Sequence, residues 1–170
     1  VSEPTRTQRE FRAAMANLSA AVNVITTDGP RGRAGMTVSA ACSVTDSPPT
    51  VLVCVNRSSR SHDILMANGR ICVNVLGADQ DDLAMHFAGA TKVPTAERFA
   101  EGPWDLDVDG IPVLRNAIAS VIGRIVSERT LGSHSVLFVE VEKVRTKQNS
   151  GALVYFQRRF HSLDAAPLSA

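Results

Sequence analysis

The chain runs to 170 residues, with 18 Lys plus Arg against 17 Asp plus Glu, and 44% of it is apolar. That length reads as one domain, 1–170 with a core over about 11–161, able to bury roughly 70% of the surface its unfolded form exposes without a disulfide or metal staple. Scattered basic residues argue against nucleic acid as a partner, and the lack of any apolar run near the roughly 18 residues of a membrane helix, with a polar start VSEPTRTQRE, leads us to expect a cytoplasmic protein.

Residues 6–18 set Phe11, Met15 and Leu18 at helical spacing, with Thr5 or Thr7 available as a cap. Residues 21–27, AVNVITT, are β-branched and read as a strand. The turn Asp28-Gly29-Pro30-Arg31-Gly32 then feeds the stretch RAGMTVSAACSVTDSPPTVLVCVN at 33–56. There Met36, Val38, Ala40, Cys42 and Val44 alternate with Thr37, Ser39, Ala41, Ser43 and Thr45. Such alternation predicts one long strand with an apolar face and a face of small, hydrogen-bonding side chains. Pro48 and Pro49 close a turn, and VLVCV at 51–55, without polar alternation, predicts a strand buried on both sides.

Further along, 58–68 reads as a short helix capped by Ser59 or Ser61 and stopped by Gly69. Residues 71–76 form a buried strand, and 79–87 a helix with an acidic first turn, ended by Gly89. Residues 91–110, with Pro94 and Pro103, read as a long loop that tucks Arg98, Phe99 and Trp104 inward. Long alternating strands at 118–129 and 135–145 flank Gly132-Ser133-His134, and 152–156 is a last strand. Six or seven strands against three short helices cannot make a parallel sheet covered on both faces, so a mainly β, antiparallel barrel is expected. Cys42, Cys54 and Cys72, odd in number and without C-x-x-C, read as reduced core residues.

The candidate chemistry is that of a binding wall. Gly29, Gly32 and Gly35 are spaced G-x-x-G-x-x-G with no helix after them, so they read as turn residues, and no P-loop, G-x-S-x-G or H-E-x-x-H occurs. His62, His86, His134 and His161 have no local ligand spacing, and no metal site is expected. Thr37, Ser39, Ser43 and Thr45, followed by Asn56-Arg57-Ser58-Ser59-Arg60-Ser61, suit a flat polar ligand with a phosphate at the serine-rich helix start. His134 sits on a glycine-flanked turn where an imidazole can face a cleft, and Tyr155-Phe156-Gln157-Arg158-Arg159-Phe160-His161 combines stacking rings with guanidinium groups suited to a planar base and a pyrophosphate.

The ordered segments GMTVSAACSVTDSPP, LVCVNRSS, GRICVNVL, HFAG and LVYFQRRFH resemble the short flavin reductases that serve two-component monooxygenases, over about 11–161. The resemblance implies a split β-barrel assembled as a homodimer, FMN or FAD and NADH as cofactors, and a separate oxygenase that hydroxylates an aromatic ring, with 4-hydroxyphenylacetate as the expected substrate. By the same resemblance, Gly35, Met36, Thr37, Ser39, Ala40, Cys54, Val55 and Asn56 would hold the flavin. Arg60 and Ser61 match its phosphate end, and His86 with Phe87 a further phosphate-side wall. His134 would stand where nicotinamide enters, with Tyr155, Phe156 and Arg158 on the dinucleotide. The residues themselves suggest that small Gly35 and Ala40 let a ring approach the backbone, while Thr37, Ser39 and Asn56 bond its edges. Rival readings are a reductase for an oxygenase of phenol or pyrimidine breakdown, and a flavin carrier that oxidises no nicotinamide.

Overall fold

A computed structural model describes residues 3–100 and 102–165. Helix α1 (Arg6–Met15) starts at a Thr5–Gln8 capping box and leads to β1 (Ala20–Ala21) and β2 (Asn23–Thr27). Strands β3 (Ala34–Val38), β4 (Ala41–Asp46) and β5 (Pro49–Asn56) precede α2 (His62–Asn68), β6 (Arg70–Val75) and α3 (Asp81–Phe87). Then come β7 (Trp104–Leu106), β8 (Pro112–Leu114), the long pair β9 (Ala119–Leu131) and β10 (His134–Thr146), β11 (Ala152–Phe156) and β12 (Arg159–Leu163).

Seven strands form one antiparallel sheet in the order β3-β2-β6-β9-β10-β5-β4. Its two edge strands, β3 and β4, are consecutive in the chain and joined by Ser39 and Ala40 alone. Two residues span at most about 7 Å beyond their anchors, so the sheet must roll until its edges meet. The result is a split β-barrel, as the strand count predicts. Rolling also corrects the reading of 36–45 as one strand: the chain breaks at Ser39–Ala40, where Cys54 N–H reaches Ala40 O at 2.9 Å.

Two interiors fill the barrel and its flank. Ile25, Val53, Val55, Leu65, Ile71, Leu137 and Val139 pack together, and Val22, Val24, Leu76, Ala84, Phe87, Phe99 and Leu153 make a second cluster under α3. Each Val, Leu, Ile or Phe among them contributes about 1.5–3 kcal/mol when fully buried. Asn74, with no exposed surface, is the polar rivet: Nδ2 donates to Val24 O at 3.0 Å, and Oδ1 accepts from Leu114 N–H at 2.9 Å and Ser120 Oγ at 3.1 Å.

Several expectations change. In β5 only Val53 and Val55 are buried, whereas Leu52 and Cys54 are half-buried on the outer face beside Phe138 and Val136 of β10. Cys42 and Val44 are exposed, so of the three cysteines only Cys72 is a core residue, its thiol pushed up to about 12 by burial. The long loop carries a short hairpin, β7 with β8, and does tuck Phe99 inward. Strand β12 is additional: Gln157 and Arg158, with φ of 49° and 63°, make a two-residue turn of the kind that usually needs Asn-Gly, which hid the hairpin in the sequence.

Gly123 lies where β9 meets a register shift in β10, and an ideal Cβ there would sit 2.2 Å from Glu140 O. Gly123→Ala is therefore expected to destabilise the fold by about 1–3 kcal/mol, read as a lower urea midpoint; an unchanged midpoint would refute the close-approach argument.

Candidate functional site

The loop after β5 is shaped by its own side chains. Asn56 Oδ1 accepts from Ser58 N–H and Ser58 Oγ, both at 2.9 Å, and turns the chain sharply at the end of the strand. Ser61 Oγ then donates to Gly35 O at 3.0 Å and lies 3.1 Å from Thr95 Oγ1, while Gly35 N–H reaches Thr95 Oγ1 at 3.2 Å. The loop before α2 and the loop after α3 are thereby stapled to β3 from two sides.

Between them opens a cavity of about 600 Å³ lined by Met36, Thr37, Asn56, Ser58–Ser61, Phe87–Gly89, Lys92, Val93, Thr95 and Arg98. Three cations converge on it. Arg98 is held by its contacts to carbonyls, Nε on Val93 O at 3.0 Å and Nη1 on Phe87 O at 3.1 Å. Burial, and then the like charge of Arg60, lower its pKa. Among the described residues, none of Arg60, Lys92 and Arg98 is paired with a carboxylate. Guanidinium groups brought together without a counter-charge repel one another, and an anion bound between them removes that repulsion. Hydroxyls and cations without a carboxylate partner among the described residues together fit the phosphate of a flavin nucleotide.

A second cavity, about 440 Å³, adjoins the first through Thr37 and Ala88 and is lined by Val22, Val38, Ser39, Met85, Tyr155 and Phe160, with Arg158 and Arg159 at its rim. Tyr155 and Phe160 meet as tilted rings, centroids 5.4 Å apart, across the β11–β12 hairpin, whose tip is tied to the end of α1 by Gln157 N–H on Ala16 O at 2.7 Å.

The expected residues divide accordingly. Met36, Thr37, Asn56, Arg60, Ser61 and Phe87 line the first cavity, and Ser39, Tyr155 and Arg158 the second. Some of their polar atoms are already committed: Thr37 Oγ1 donates to Ala84 O at 2.6 Å, so toward a ligand it offers an acceptor, not a proton. Gly35 is small for a reason other than ligand approach. An ideal Cβ on it would lie 2.7 Å from Phe87 Cε1 and 2.9 Å from Phe99 Cζ, inside an aromatic cluster completed by Trp104. Ala40 is exposed at the crossover, Val55 is buried in the core, and Cys54 lines neither cavity, its thiol pushed up by burial and by Cys42.

His86 uses both ring nitrogens on its own loop, Nε2 at 3.2 Å from Arg98 O and Nδ1 at 2.9 Å from Thr91 Oγ1. It therefore supports the cation loop and does not face the first cavity. Phe156 meets His161 at 5.9 Å and lines neither cavity. His134 is exposed at the start of β10, opposite Asn56, with Nδ1 2.9 Å from Ser133 Oγ. It neighbours the first cavity through Asn56, and the structure does not bring it together with Tyr155 and Arg158. Lys92, Thr95 and Arg98 were invisible as site residues in the sequence, because only the α3 loop's return over β3 sets them beside Arg60.

This architecture has close relatives. The family described as flavin reductase like domain matches residues 15–164. The 4-hydroxyphenylacetate 3-monooxygenase reductase component of Pseudomonas aeruginosa is 51% identical over 92% of this chain and 92% of its own. The FMN reductase (NADH) RutF of Stutzerimonas stutzeri is 50% identical over 94% of this chain and 90% of its own. Among solved structures, the NADH:FAD oxidoreductase of Streptomyces globisporus, in complex with NAD and FAD fragments, superposes with a TM-score of 0.85 at 27% identity, covering 100% of both chains. With these likenesses, the split barrel and the anion pocket at its seam are those of a flavin oxidoreductase. The chain belongs to the flavin reductase family.

Arg60 is exposed and makes no hydrogen bond among the described residues, so its removal leaves the fold alone. Arg60→Met is expected to weaken FMN binding about 10-fold, the scale of one charge-assisted hydrogen bond, while riboflavin, which lacks the phosphate, binds as before. Fluorescence titration of both ligands checks this, and equal losses would remove Arg60 from the anion site.

Proposed function

We infer that this protein is an NADH-dependent flavin reductase that uses FMN or FAD and hands reduced flavin to a separate aromatic-ring monooxygenase, with 4-hydroxyphenylacetate as the substrate of that partner. The observation that carries the reading is the trio Arg60, Lys92 and Arg98, without a carboxylate partner among the described residues, around a cavity that shares Thr37 and Ala88 with a second, more apolar one. When bound, the flavin supplies the redox chemistry by accepting hydride from the nicotinamide.

What this chain contributes is orientation. Arg60, Lys92 and Arg98 anchor the anionic end, Met36 and Thr37 form the wall, and His134 borders the cavity where nicotinamide would meet it. Tyr155, Arg158 and Arg159 offer stacking and charge to the rest of the dinucleotide. Holding two rings in near-attack geometry removes a barrier that reaches about 7–11 kcal/mol in favourable intramolecular cases. The nearly equal likeness to two kinds of reductase favours one rival, a partner oxygenase of another pathway, over the flavin carrier.

We read residues 11–161 as a single unit that works as a homodimer. Support comes from the outer face of β5 and β10, where Leu52, Cys54, Val136 and Phe138 form an apolar patch that water would otherwise meet. Light scattering is expected to give twice the 18.2 kDa of the chain, and Phe138→Asp to reduce it to one chain; a monomeric wild type would end the dimer reading.

The activity is tested by mixing the protein with NADH and FMN or FAD under air and following absorbance at 340 nm. Flavin-dependent loss of NADH is expected, faster with NADH than with NADPH. Flavin binding without any nicotinamide oxidation would establish the carrier instead. Coupling to purified oxygenases, with substrate consumption as the readout, identifies the partner.

A further inference from the structure

A polar chain with a buried centre, His62 and Ser135, runs beside the first cavity without lining it. His62 Nε2 lies 2.9 Å from Ser135 Oγ, and Ser135 Oγ donates to Glu128 Oε1 at 2.6 Å. On the other side of the imidazole, Asp63 Oδ1 is 2.8 Å from Nδ1. The single hydroxyl hydrogen of Ser135 goes to the carboxylate, so its oxygen accepts from His62 Nε2–H. This sequence of serine, histidine and acid has the members of a hydrolytic triad, but Ser135 is 0% exposed, and no substrate can reach its oxygen. The arrangement therefore acts on the protein itself.

Its place in the fold says on what. His62 follows Ser61 directly, the last residue of the anion loop, and Ser135 follows His134 directly. The β9–β10 turn that carries His134 projects from the barrel: Leu131 is 74% exposed, and Ser133 and His134 are exposed with it. Main-chain bonds join this turn to the end of β5, with Arg57 N–H on Ser133 O at 2.9 Å. Among the described residues, the side-chain link from α2 to this turn's base is His62 to Ser135.

We propose that Ser135 and His62 are positioning residues for hydride transfer: their buried hydrogen bond, braced by Glu128, fixes the turn bearing His134 relative to the anion loop. The proposal rests on the reading that His134 meets the nicotinamide. A buried polar link holds one geometry because breaking it strands a donor or acceptor away from water. Displacement of a reacting group by about 1 Å can cost up to roughly 100-fold in rate, so loss of the link shows in the transfer step and not in flavin affinity.

The test is anaerobic stopped-flow reduction of FMN by NADH on the full chain, with FMN affinity measured separately. Ser135→Ala is expected to slow transfer about 10-fold or more while the dissociation constant for FMN stays within about twofold. In a His134→Ala background the same change is expected to add no further loss, because residues acting through one group are non-additive. Glu128→Ala, at an exposed position, is expected to act in the same direction and keeps the test open if Ser135→Ala does not fold. Wild-type transfer in both variants, or a loss that multiplies with that of His134→Ala, would overturn the proposal. If His134→Ala alone transfers hydride normally, the assignment of His134 fails and the proposal with it; slowing by His134→Ala with no effect of Ser135→Ala overturns the proposal alone.

Discussion

Closure of the barrel through a two-residue link is the constraint from which the rest of the molecule follows. Strands β3 and β4 are consecutive yet lie at opposite edges of a seven-stranded sheet, with Ser39 and Ala40 between them. A flat sheet would hold those edges several strand spacings of about 4.8 Å apart, and two residues cannot bridge that span. Curling the sheet brings β3 to the seam, where it has a partner on one side only. Its free side is where the α2 loop, the α3 loop and the β11–β12 hairpin gather, so the cavities open at the place where the sheet stops pairing.

At that seam, packing and charge have separate tasks. The aromatic cluster of Phe87, Phe99 and Trp104 presses against Gly35, and Ser61 with Thr95 staples the two loops to its backbone. These contacts set distances, and two carbonyls aim Arg98 without neutralising it. Burial, and then the like charge of Arg60, lower the pKa of Arg98. A fold tolerates such repulsion where a ligand relieves it, because stability elsewhere exceeds the cost. Arg70 and Arg124, by contrast, share Glu142 as a counter-charge.

The same division explains which residues moved between the sequence reading and the structure. Gly35, Ser61 and His86 belong to the site's neighbourhood but serve its construction, since their atoms face protein groups. Lys92 and Arg98 belong to the cavity but lie in a segment that reads as loop. Nothing local distinguishes a cation that will face a phosphate from one that will face water. Residue type and order carried the resemblance to the family, whereas the direction of each side chain depended on the seam.

Strand and helix were legible because their periods are covalent properties of the chain: the alternation in β9 and β10, the Gly69 stop with φ of 70° after α2, and the capping box at Thr5 are all local. The amino-acid sequence by itself therefore determined a mainly β barrel and a serine-rich loop. Tertiary structure alone decided that β3 and β4 part company at Ser39–Ala40, that Leu52 and Cys54 face outward, and that Gln157 and Arg158 turn a hairpin through left-handed backbone. It alone set Arg60 against Arg98 and His62 against Ser135. Those pairings join residues far apart in the chain, and their geometry exists only once the sheet has closed.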